Sequence, residues 1–181
     1  LEDFFIYNAF SREINPDQES RMIGHFEGGV SHAMVIFQHI DGLWKVLHSA
    51  GNGVEVIPLS QLLDGKRELV YIFRVKSMVS QEFFSKCADK RSGLKVKYAT
   101  KQFVNQAFRL LGIKWVPFRN GDASTICCEE QLIANRYSEA WPELIELDQD
   151  RIGVNDMVKE FRSISLAQEM TPLEFLKTIE G

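Results

Sequence analysis

Through the first half of the chain apolar and polar positions alternate in short runs, and beyond Val75 the apolar positions recur at helical spacing. DFFIYNAF (Asp3 to Phe10) reads as a first strand, followed by a polar loop from Ser11 to Ser20, and Met22 to Gly29 reads as a helical turn before the Gly28-Gly29 break. SHAMVIFQ (Ser31 to Gln38) and LWKVLHS (Leu43 to Ser49) flank HIDG, whose Asp41-Gly42 pair predicts a hairpin. VEVIPL (Val54 to Leu59) and ELVYIFRV (Glu68 to Val75) continue an antiparallel meander. Ser80 is placed to cap a helix over Gln81 to Lys90, and Thr100 a helix to about Leu111 that ends at Gly112. In the latter, Phe103, Ala107 and Leu110 mark the expected buried stripe. A loop from Lys114 to Thr125 leads into a helix from about Cys127 to Tyr137. Leu144 to Gln149 reads as short or irregular, Asn155 to Phe161 as strand or helix, and Pro172 starts a last helix to Ile179. Strands first and helices after predict an α+β fold, an antiparallel sheet packed against helices.

Composition narrows the function classes. With 181 residues, 45% of them hydrophobic, the chain is expected to form a single domain with one core, spanning residues 1–181. A net charge of -4 gives no footprint for nucleic acid, and the cluster Lys86, Lys90, Arg91, Lys95 and Lys97 reads as a solvated face. No apolar run reaches the length of a membrane span, so a soluble chain is expected, cytoplasmic or associated with a virus particle or secretion system. Three cysteines are too few for a disulfide framework, and free thiols are expected.

The candidate chemistry begins at Cys127-Cys128. A thiol in the first turn of a helix feels the positive end of the helix dipole, which favours the nucleophilic thiolate. Asp122, Ser124 and Thr125 are candidate caps, and the unpaired N–H groups of the first turn could hold an oxyanion. Leu132, four positions after Cys128, shares its face, which favours Cys128 as the nucleophile with Cys127 as the alternative; two buried structural cysteines are the plain reading.

A thiol nucleophile pairs with an imidazole held by a third polar group. His32 and His48 stand sixteen residues apart across the hairpin, an even separation that places both side chains on one face, alongside Met34, Ile36, Val46 and Trp44. His25 and His39 read as surface residues. No paired ligand spacing suggests a metal, and no cofactor is expected.

The order of these features resembles the circularly permuted NlpC-like cysteine hydrolases of the papain fold, whose His-bearing strand precedes the Cys-bearing helix. EDFFIY resembles the opening strand, SHAMVIF the Ser-His strand, and VLHSAGNGVEVIPLSQLL the next two strands, turn and short helix. FVNQAFRLLGIKWVPF is similar to the helix and aromatic loop, TICCEEQLI to the start of the central helix, and MTPLEFLK to the closing helix. Taking Cys128 as nucleophile aligns Glu130 and Leu132, taking Cys127 aligns Glu129, and the motif does not settle between them. The resemblance implies a thiol hydrolase using Cys128, His32 as base and His48 as orienting group, acting on an amide in a small peptide, with bacterial cell-wall peptide the leading substrate. Acyl ester or thioester cleavage is the alternative within enzymes, and a catalytically silent binding module the alternative outside them. Trp44, Trp115 and Phe118 are the residues expected to line a substrate pocket.

Overall fold

Why the first strands are apolar almost continuously becomes plain once both faces of their sheet are seen to be covered. The computed structural model describes residues 2–26, 29–99, 101–119, 124–139, 147–148, 150 and 152–181. Its strands β1 (Phe5–Glu13), β2 (His32–Gln38), β3 (Trp44–Ala50), β4 (Gly53–Pro58), β5 (Arg67–Lys76) and β8 (Ala167–Met170) form one antiparallel sheet in the order β4-β3-β2-β1-β5-β8. A second, parallel pair joins β6 (Lys97–Tyr98) to β7 (Ser124–Thr125). Successive side chains on a strand point to opposite faces. Ile6, Phe10, Val35, Phe37 and Phe73 therefore lie on one side, that of α3 (Gln81–Gly93), α5 (Cys127–Ser138) and α6 (Val154–Ser163), in one core with Phe84, Leu132 and Phe161. Tyr7, Ala9, Met34, Ile36 and Val46 pack on the other against α2 (Leu59–Leu62) and α7 (Pro172–Glu180), through Leu59, Leu62 and Phe175. The expected mixed α+β architecture, an antiparallel sheet between helices, is what forms.

Local signals explain most element boundaries. Ser80 Oγ accepts the Phe83 N–H at the start of α3, and Thr171 and Glu174 cap α7 reciprocally around Pro172. The helix α4 (Gln102–Leu110) stops where Gly112 takes a positive φ of 73°. Several expectations require correction. β1 runs through Glu13 rather than ending at Phe10, because Ser11 to Glu13 are still paired with β5, and α1 (Gln18–Phe26) begins inside the polar stretch and is longer than the helical turn expected from Met22. β8, too polar to announce itself, joins the sheet edge, while Asn155 to Phe161, readable as strand or helix, are helix within α6. Arg91 is not on a solvated face: it is buried in a bidentate pair with Glu130 of α5, Nε and Nη2 reaching the carboxylate at 3.0 to 3.1 Å. Thr100, Asn120, Gly121, Asp122 and Gln149, like Leu144 and its neighbours, fall outside the described residues.

The central helix α5 is polar yet buried along most of its length, so its polar groups need partners inside the protein. Gln131 Nε2 donates to the Met34 carbonyl of β2 at 2.9 Å, and Asn135 and Asn8 of β1 exchange side-chain hydrogen bonds at 2.6 and 3.2 Å. Residues four apart share a helix face, so the stripe turned to the sheet is Cys127, Gln131 and Asn135. This anchors the amino terminus of α5 over the end of β2.

Candidate functional site

The two histidines expected to meet do so. Regular pairing of β2 with β3 runs from Gln38 and Trp44 to Val35 and Leu47. His32 and His48 lie past its last pair, at the open end of the hairpin. His32 Nε2 and His48 Nδ1 are 2.9 Å apart, with the rings nearly perpendicular. Both residues are buried. Burial first, then the charges of His32 and Arg67, press the His48 imidazole down to about 3, so it is neutral at physiological pH. Its Nε2 is buried without a hydrogen-bond partner among the described residues, and the nearest carboxylate oxygen, on Glu55, stands 3.7 Å away. Glu55 is the direct cross-strand partner of His48 in β4. That position was countable from the Gly51-Asn52-Gly53 turn, which pairs residues 48 and 55.

Of the two thiols, Cys127 is the one on which His32 acts. The Cys127 thiol is held well below its usual range, first by the adjoining Cys128 sulfur, then by His32 through hydrogen bonding and charge and by the Ala33 N–H; together these outweigh the opposing effect of burial. Cys128 Sγ instead donates to the Ile152 carbonyl at 3.0 Å and packs in the core with Leu132. The preference for Cys128 assumed that the sheet-facing stripe of α5 would be the apolar one. It is the polar one, because Gln131 and Asn135 bond to the strands that α5 crosses.

The helix start is also capped differently from expectation. Ile126 occupies the N-cap position, and its N–H donates to Glu129 Oε2 at 2.7 Å. The other carboxyl oxygen of Glu129 has no partner among the described residues. Burial above all, then the nearby charges of Asp150, Cys127 and Glu130, raise this carboxyl to about 8 against the Ile126 hydrogen bond. A neutral acid in the first turn does not repel a thiolate two residues away.

A cleft of about 490 Å³ opens onto both cysteines. It is walled by Met22 and Ile23 of α1, Tyr98 of β6, Phe103 and Leu110 of α4, and Val154 of α6. None of the three aromatics expected to line a pocket lines this one. Trp44 packs in the opposite core against Tyr7 and Phe175, with ring centroids 5.7 and 6.3 Å away. Trp115 is 68% exposed and lies against Phe108. The Phe118 carbonyl accepts from Asn105 at 2.5 Å while its ring sits under the Lys101 ammonium. His25 is exposed as expected, but His39 is buried, its Nε2 2.9 Å from Asp89 of α3. Among the described residues no group of His, Cys, Asp and Glu is arranged to hold a metal ion, and no helix is long and apolar enough to cross a membrane.

Comparison with protein-family models gives no match to this chain, and comparison with curated proteins gives none either.

Proposed function

We propose that this chain is a cysteine hydrolase in which Cys127 is the nucleophile, His32 the base and His48 the group that orients it. The observation that carries the reading is the close pair of His32 and His48, Nε2 to Nδ1 at 2.9 Å at the open end of the hairpin, together with the Cys127 thiol at the first turn of α5, which its neighbours, His32 among them, press towards the thiolate. A neutral His48 accepts at Nδ1, so His32 keeps a proton on Nε2 and exchanges the second one through Nδ1. The thiolate attacks a carbonyl carbon, and the first-turn N–H groups of α5, which have no intrahelical acceptors, face the developing oxyanion. His32 then protonates the leaving group as the thioester forms. Water, deprotonated by the same imidazole, hydrolyses the thioester to a carboxylate and restores the thiol. Glu55, behind His48, closes the sequence Cys127, His32, His48, Glu55 with a charge that favours the Nε2–H tautomer of His48.

The resemblance to the circularly permuted NlpC-like hydrolases of the papain fold supports the same reading through the order of the His32 strand and the cysteine-bearing helix. Amide cleavage in a peptide and cleavage of an acyl ester share every step above.

Thiol reactivity tests the assignment. Iodoacetamide at neutral pH, followed by peptide mapping, is expected to label Cys127 faster than a free thiol peptide, in the parent and in Cys128→Ser. His32→Ala is expected to slow that labelling at least tenfold. Labelling of Cys127 no faster than the free peptide, or fast labelling confined to Cys128, would remove the nucleophile and leave a binding module on this fold.

A further inference from the structure

The cleft onto which both cysteines open offers few polar side chains. α4 turns Gln102 and Asn105 inward to Asp150 and the Phe118 carbonyl, so its stripe of Phe103, Ala107 and Leu110, which a sequence reading assigns to the core, walls the cleft instead. Among the described residues lining the cleft none is charged, so no side-chain cation stands ready for an oxyanion. The polar groups there are mostly spent within the fold. Gln106 donates to the Ile152 carbonyl at 2.7 Å and accepts from Arg109 at 2.8 Å, Cys128 donates to the same carbonyl, and the Tyr98 ring packs against Phe103. Ser31 is different: it lines the cleft, and its Oγ is buried with no hydrogen-bond partner among the described residues. A buried hydroxyl has given up its bonds to water, and a fold that supplies no replacement carries a penalty that a bound group can remove. The Ser31 backbone is pinned, its N–H donating to the Ser11 carbonyl of β1 at 2.9 Å, and the hydroxyl swings among staggered positions about one bond. At the start of α5 one donor is already withdrawn, because Glu129 takes the Ile126 N–H.

We infer that Ser31 is a further catalytic residue of this site, its hydroxyl donating to the carbonyl oxygen of the substrate as that oxygen takes on negative charge, alongside the first-turn N–H groups of α5. The inference rests on the hydrolase reading above and adds to it a donor from a second element. As the Cys127 sulfur bonds to the carbonyl carbon, the π pair moves onto oxygen, and the Ser31 O–H bonds to that oxygen without giving up its proton. The pair then returns, the bond to the leaving group breaks, and the leaving group departs with the proton from His32. The same donor acts again when water attacks the thioester. A donor held in an apolar cleft before the reaction interacts more strongly than one in water and costs no reorganisation as charge develops. Ser31 and His32 are consecutive, so one strand start carries both the donor and the base.

The test sets two reactions of one thiol against each other in the intact chain. Nitrophenyl acetate acylates Cys127 through an oxyanion, and iodoacetamide alkylates it without one; nitrophenol release and peptide mapping follow the two. Removing one aligned oxyanion donor costs on the order of a hundredfold in rate, so Ser31→Ala is expected to lower the ratio of acylation to alkylation by about tenfold or more. The loss is expected in the maximal rate of acylation, with the half-saturating ester concentration within about threefold of the parent, since the bond forms fully only as charge develops. Ser31→Thr, which keeps a hydroxyl, is expected to hold the ratio within about threefold of the parent. A hydroxyl with no partner in the fold adds nothing to stability, so the thermal midpoint of Ser31→Ala is expected to stay level or rise. An unchanged ratio in Ser31→Ala, an equal fall in both variants, a loss confined to the half-saturating concentration, or a lowered midpoint in Ser31→Ala overturns the role of Ser31 and leaves the hydrolase. Absence of an acetyl adduct on Cys127 of the parent overturns the hydrolase reading and the donor with it.

Discussion

Replacing Glu129 by glutamine should stabilise the protein at neutral pH and not at acid pH. Glu129 is buried, with Oε2 accepting the Ile126 N–H and Oε1 without a partner among the described residues. Its carboxyl is raised from the ordinary 4.5 to about 8, chiefly by burial. In the folded protein the proton stays on through neutrality, whereas the unfolded chain releases it above 4.5. The unfolded state therefore gains relative to the native state as pH rises, and stability is lost across the window from about 4.5 to 8. By pH 7 the loss spans roughly 2.5 units at 1.36 kcal/mol each, about 3 kcal/mol. Glutamine keeps a carbonyl for the Ile126 N–H and cannot ionise. Its second amide N–H carries its own burial cost, which is the same at both pH values and cancels in the comparison. Urea unfolding of the parent and Glu129→Gln at pH 4.5 and pH 7 measures the change in the stability difference, expected to favour the variant by about 3 kcal/mol more at pH 7, with unchanged denaturant slopes. An equal difference at the two pH values would mean that Glu129 is ionised in the fold, and the neutral acid beside the thiol would have to be abandoned.

Arg91→Met leaves the Glu130 carboxylate buried without its guanidinium and is expected to cost about 3 to 5 kcal/mol in the same unfolding assay, whereas the paired exchange Arg91→Met with Glu130→Leu recovers most of it. Gly53→Ala places a Cβ 2.1 Å from the Val96 carbonyl oxygen at a φ of 102°, and Gly65→Ala, at a φ of 89° in open space, carries the strain without the collision. The first is expected to lower the thermal midpoint clearly more than the second, and equal shifts would show that the approach of Val96 to β4 relaxes without penalty.

Much of the scaffold was legible in the chain. Asp41-Gly42 announced the hairpin and Ser80 and Pro172 announced helix starts, because turns and caps act within a few residues of themselves, whereas His32 and His48 meet beyond the last regular β2–β3 pair, where strand alternation alone does not set their direction. The elements that escaped notice were those whose stability comes from elsewhere. β8 is polar on its own and is held by pairing to β5. Trp44 reads as a pocket aromatic and serves as packing beneath α7.

At the candidate site the division is sharper. The residue types themselves, two thiols at a helix start and two imidazoles on facing strands, were present in the linear order, and so was the kind of chemistry they suggest. Which thiol shares the sheet-facing stripe depended on a helix turning its polar side to the sheet, a choice made by Gln131 bonding to the Met34 carbonyl and Asn135 bonding to Asn8. Periodicity reports only which residues share a face. Where α5 points that face, and that α4 hides its polar side and offers its apolar one to a cleft, follows from hydrogen-bond partners more than forty residues away in sequence, and only the assembled fold supplies those.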